Sequence, residues 1–62
     1  MELRWVIDFI EHEPGKAPEY IVGIENCENG KIDPICRCEY SFDAEIIRDA
    51  LDAHVVPGDY YR

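Results

Sequence analysis

Residues 20–40, YIVGIENCENGKIDPICRCEY, decide the fold. Asn29-Gly30 lies between two runs rich in β-branched and aromatic residues, and this pair accepts the positive φ required at both centres of a type I′ turn. The stretch therefore reads as a β-hairpin. A two-residue loop sets Glu28 opposite Lys31, Cys27 opposite Ile32, Gly23 opposite Cys36 and Ile21 opposite Cys38. That register gathers Ile21, Gly23, Cys27, Ile32, Cys36, Cys38 and Tyr40 on one face, with Glu25 as its one charge. The other face mixes Tyr20, Val22, Ile24 and Ile35 with Asp33, Arg37 and Glu39. The cysteine-bearing face is the expected core. Pro34 cannot donate a ladder hydrogen bond, so its strand is expected at a sheet edge or bulged near Pro34, and a bulge shifts the parity beyond it.

Working outward, residues 2–10 alternate Leu3, Trp5, Ile7 and Phe9 with Arg4, Val6, Asp8 and Ile10, the period of a strand with one strongly apolar face. Trp5 and Phe9 are expected under a helix. Residues 11–19 carry Pro14, Gly15 and Pro18 among charges and read as an irregular connection. Downstream, Ser41 is placed to cap a helix starting near Phe42 or Asp43, whose spacing groups Ile46, Ile47, Ala50, Leu51 and His54. Pro57-Gly58 ends that helix near His54 or Val55 and leaves residues 59–62 as a short terminal segment. The order β-β-β-α predicts an α+β fold: a three-stranded antiparallel meander with one helix packed on one face, forming a single domain over residues 1–62.

Composition narrows the function. The 62 residues hold 14 Asp and Glu against 6 Lys and Arg, a net charge of −8. Leu, Ile, Val and Phe make up about a quarter of the chain, enough for a folded core. A domain near 60 residues buries only about 60% of its unfolded surface, which leaves little room for a cofactor domain or a deep substrate cavity. The start of the chain lacks the cationic and apolar sequence of an export signal, and no long apolar run occurs, so a cytoplasmic protein with no membrane partner is expected. Negative charge disfavours direct binding to nucleic acid and favours encounter with basic surfaces.

Three cysteines and two histidines raise a metal reading, with Cys27, Cys36, Cys38 and His54 as candidate zinc ligands. Spacing argues against it. Cys36-x-Cys38 on a strand holds its side chains parallel and about 6.6 Å apart, whereas zinc knuckles draw ligands together across a tight turn. The same separation disfavours a Cys36–Cys38 disulfide, and reduced cysteines serving as small, slowly reacting core hydrophobes are expected. His12 sits in a charged loop and His54 at a helix end, so neither is paired with a nucleophile by the sequence. No phosphate-binding loop, dinucleotide fingerprint, EF-hand or zincin motif occurs. The expectation is a non-enzymatic protein with no metal and no cofactor.

The placement of acid carries the functional reading. Asp43 and Glu45 suit the positive end of a helix dipole, but Asp49 and Asp52 lie in its second half, and Glu45 with Asp49 is a like-charge pair at i, i+4, partly offset by Arg48. Glu45, Asp49, Asp52, Glu39, Glu11 and Glu13 are the candidate partner-binding residues. Rows of carboxylates about 5–7 Å apart imitate the charge of a nucleic-acid backbone. A free first-strand edge, residues 3–9, and the aromatic pair Tyr60 and Tyr61 also suit partner contact. In size, acidity and compact mixed layout, the chain resembles the small acidic proteins that bacteriophages and mobile elements use to disable host defence. These include anti-CRISPR proteins, some of which mimic DNA. The β-β-β-α order is also similar to the antitoxin half of some toxin–antitoxin pairs. The first resemblance implies an inhibitor, acting in a bacterial host cell, that binds a basic nucleic-acid-handling protein or complex such as a CRISPR effector. The alternatives are a small assembly subunit that dimerises or adds its first strand to a partner sheet, so a monomer or homodimer, and a cysteine-based metal module.

Overall fold

Three strands and two helices account for the computed structural model, which describes residues 2–61: β1 (Leu3–Ile10), β2 (Glu19–Asn26), β3 (Ile32–Cys38), α1 (Ser41–His54) and α2 (Pro57–Tyr60). The strands form one antiparallel sheet in the order β1-β2-β3, and α1 packs on one face of it. This is the α+β meander expected from the alternation and turn signals. Of the expected terminal segment, residues 57–60 form α2, with Pro57 at its first turn, where a missing N–H costs nothing. Arg62 lies outside the described residues.

The hairpin differs from its sequence reading in both loop and register. Asn26 and Lys31, not Glu28 and Lys31, close the loop, with Asn26 N donating to Lys31 O at 2.8 Å. Gly30 takes φ +72°, whereas Asn29 keeps negative φ, so the turn is not type I′. Asn29 instead accepts the Lys31 amide on its side-chain oxygen at 2.9 Å, and Asn26 accepts the Glu28 amide in the same manner. The loop is thus residues 27–30, and Cys27 is exposed within it rather than in the core.

A bulge then resets the parity. Gly23 pairs with Pro34 and Val22 with Cys36, so Ile35 is the extra residue on β3. The irregularity stands beside Pro34 on an edge strand, as the missing donor requires. Gly23 is obligatory opposite it, because a Cβ there would lie 2.5 Å from the Asp33 backbone oxygen. Together the longer loop and the bulge put Tyr20, Val22 and Ile24 on the helix face with Cys36 and Cys38, and turn Ile21, Gly23 and Ile32 away. The expected core face of β2 is therefore reversed. A change of one residue in register exchanges the two faces of a strand.

Trp5, Val22, Ile24 and Ala44 form the buried centre. Val22 and Ile24 are fully buried, each contributing about 1.5–3 kcal/mol relative to exposure. Leu3, Ile7, Leu51 and Val55 pack around them. Phe9 faces the same side but projects past the helix, 49% exposed and tilted against Tyr20 with ring centroids 5.3 Å apart. The Trp5 indole Nε1 donates to the Val55 carbonyl oxygen at 2.8 Å, fixing the end of α1 over β1. Tyr60 sets its edge against Trp5 at 6.1 Å, and the Tyr61 hydroxyl donates to Asp33 Oδ2 at 2.7 Å. The terminal aromatics thus fold back across the sheet while remaining partly exposed.

Candidate protein-binding surface

α1 sits with its less apolar side inward. Ala44, Leu51 and the C-cap residue Val55, spaced as one helical face, pack on the sheet core, and Ala44 alone of the helix is buried. The expected inward cluster of Ile46, Ile47, Ala50, Leu51 and His54 is overturned except at Leu51. Ile46, Ile47, Ala50 and His54 are exposed. Ala44 explains the choice, since a methyl group lets the helix axis approach the strands where an Ile would hold it off. Ser41 is not the cap either: Tyr40 occupies that position in extended conformation without a side-chain bond, and Ser41 is the first helical residue.

Two rows consequently run along the solvent side of α1. Phe42, Ile46 and Ala50 recur at i, i+4, i+8, with Phe42 69% and Ile46 53% exposed. Glu45, Asp49 and Asp52 recur at i, i+4, i+7 on the adjoining flank, all exposed. Of the six candidate residues, these three are brought together by the fold. Asp49 is partly neutralised within the helix, because Arg48 donates from Nε and a terminal nitrogen to its Oδ1 at 3.1 and 3.0 Å. Glu39 is separate, at the helix entrance. There it shares an open cleft of about 420 Å³ with Arg37, Cys38, Tyr40, Asp43, Ile46 and Ile47. Glu11 and Glu13 lie in the β1–β2 connection beside His12 and Pro14, around another depression. They do not extend the α1 row. The apolar row was missed as a surface feature because a sequence pattern shows which residues share a face and not which face meets the sheet.

Among the described residues three side chains, Tyr61, Cys38 and Arg4, are raised above their ordinary pKa values. The Tyr61 phenol is raised by its hydrogen bond to Asp33, then by partial desolvation and the Asp33 charge. Desolvation raises the Cys38 thiol, reinforced by the adjoining Cys36 and by Asp43, so its thiolate is disfavoured. Arg4 is raised by its hydrogen bond and charge contact with Glu25, Nε to Oε1 at 2.6 Å. These shifts stabilise the resting protonation state in each case. Cys36 and Cys38 are half-buried beneath α1 and Cys27 is exposed at the other end of the hairpin, so the three thiols do not converge. Among the described residues no group of three or more His, Cys, Asp or Glu is arranged to hold a metal ion. No helix in the described residues is long and apolar enough to cross a membrane. The chain matches no protein-family model, no curated protein and no solved structure.

Proposed function

We propose that this protein is a non-enzymatic inhibitor that binds a basic nucleic-acid-handling protein through the solvent side of α1 and blocks that partner's nucleic-acid site. The observation that carries the reading is the pairing of an exposed apolar row, Phe42 and Ile46, with an exposed acidic row, Glu45, Asp49 and Asp52. Apolar side chains at the centre of a contact supply binding energy, and carboxylates beside them steer encounter with a basic surface and set its orientation. Acid alone has another explanation, namely solubility. Outward-facing Phe and Ile residues do not serve that purpose. Free cysteines suit a reducing compartment, and the cytoplasm of a bacterial cell is the proposed site of action.

The test captures partners from bacterial lysate with tagged protein and then measures binding to the purified partner. Asp49→Lys with Asp52→Lys is expected to weaken affinity about tenfold or more and to flatten its salt dependence. Phe42→Ser with Ile46→Ser is expected to weaken affinity with the salt dependence retained. Double-stranded DNA should displace the wild-type complex. A partner held equally by both variants and indifferent to DNA removes the reading.

A further inference from the structure

We propose that the outer edge of β1 pairs antiparallel with β1 of a second copy, about a two-fold axis through Val6, extending the sheet across both chains. This goes beyond the partner-binding reading and does not depend on it.

The backbone of β1 shows which groups face outward. Glu2 accepts the Cys27 amide, so even-numbered positions turn toward β2. The Phe9 amide donates not to β2 but to its neighbour's Asp8 Oδ1 at 3.0 Å, so odd-numbered positions turn toward the open edge. Leu3, Trp5, Ile7 and Phe9 therefore present both N–H and C=O to an incoming strand. In antiparallel pairing such residues must face one another, which restricts the register to odd against odd.

Side chains then select one register. With Val6 on the axis, Leu3 faces Phe9 and Trp5 faces Ile7 of the second copy on the helix side. Arg4 faces Asp8 twice on the other side. The exposed Phe9 ring is covered by Leu3 of the second copy, and each Arg4 guanidinium, held by Glu25 through Nε, keeps terminal nitrogens for Asp8. Sliding by two residues in one direction opposes Asp8 to Glu2, a like-charge pair, and in the other opposes Asp8 to Val6 and Arg4 to Ile10. The pairing through Val6 is charge-complementary at both crossings. Asp8 exchanges its bond to the Phe9 amide for Arg4 of the second copy as that amide enters the new ladder.

Sedimentation equilibrium at about 150 mM salt, where the Debye length is about 8 Å and the net repulsion is screened, tests this. Wild type is expected to rise with concentration from 7.2 kDa toward twice that mass. Asp8→Arg and Arg4→Asp should each weaken association about tenfold or more, since each sets like charges opposite one another. Mixing the two variants should restore the dimer, because one supplies two carboxylates and the other two guanidiniums. Circular dichroism checks that each variant is folded. As a second measurement, Val6→Cys in a Cys27→Ser background, which removes the exposed native thiol, should form a covalent dimer under mild oxidation, because axial partners in a non-hydrogen-bonded pair lie within disulfide reach. A wild type that stays at 7.2 kDa at millimolar concentration, or a mixture that fails to dimerise together with an uncrosslinked Val6→Cys chain, overturns the proposal.

Discussion

The sheet has two edges built to different rules. β1 pairs with β2 over eight residues without a break, while β3 pairs with β2 through a ladder interrupted by Ile35 and Pro34. Proline and a bulge are devices by which edge strands refuse another strand. β1 lacks both, and its one obstruction is the Asp8 carboxylate bonded to the Phe9 amide. The contrast shows where irregularity is tolerated: one edge is closed by covalent geometry, the other by a side chain that can rotate away.

The largest expected effect comes from forcing regularity on the closed side. Gly23→Val is expected to cost on the order of 3 kcal/mol, because its Cβ meets the Asp33 carbonyl at 2.5 Å and the β2–β3 ladder must open. Val6→Ala, directly across β2's other ladder from Gly23, should cost about 1 kcal/mol. Urea unfolding of both variants measures the asymmetry, and equal losses would erase it. Next, deletion of Ile35 combined with Pro34→Val removes both devices from β3. The helix-side packing of Ile35 is lost, at a cost of about 1–2 kcal/mol, and the opened edge should yield assemblies larger than a dimer by light scattering. A variant that does not exceed the wild-type mass would show that the bulge is not what closes this edge.

A side-chain hydrogen bond from each edge strand reaches the C-terminal segment, and breaking these two bonds gives smaller effects. Trp5→Phe leaves the Val55 carbonyl without its indole donor and should lower stability by about 1–2 kcal/mol in denaturant unfolding. Tyr61→Phe, on the β3 side, should change stability least. Its signature is pH dependence. Because the folded phenol is raised, its contribution is fully present below the ordinary phenol value of about 10 and is lost as pH climbs through the folded value. A loosening of the terminal segment in this alkaline range, followed by circular dichroism, should be present in wild type and absent in Tyr61→Phe.

The meander was legible because β1 alternates cleanly, Asn29-Gly30 marks a turn and Pro34 marks an edge or bulge. Its faces were not. Asn29 has two ways to make a turn, by its own positive φ or by accepting the Lys31 amide, and the choice of the second lengthened the loop and changed the register. The acidic row at Glu45, Asp49 and Asp52 was legible because helical spacing alone places it. The apolar row was misplaced for a physical reason: a small residue at Ala44 outweighs larger hydrophobes when it permits close approach, so the most apolar flank was left outside. Glu11 and Glu13 could not be placed because a Pro- and Gly-containing connection has no periodicity to fix them.

The bond from Trp5 to Val55 spans 50 positions of chain, the longest separation among the described side-chain hydrogen bonds. Closing a loop of that length costs roughly 3.5 kcal/mol in chain entropy, against about 1–2 kcal/mol for the local hairpins. Isolated hairpins form in about 1–10 μs, so the expected order is meander first and docking of the indole on its carbonyl second, an order that stopped-flow emission compared with far-ultraviolet circular dichroism would check. Trp5 is the one tryptophan of the chain and packs with Val22, Ile24 and Ala44, so its emission is expected to follow burial between β2 and α1.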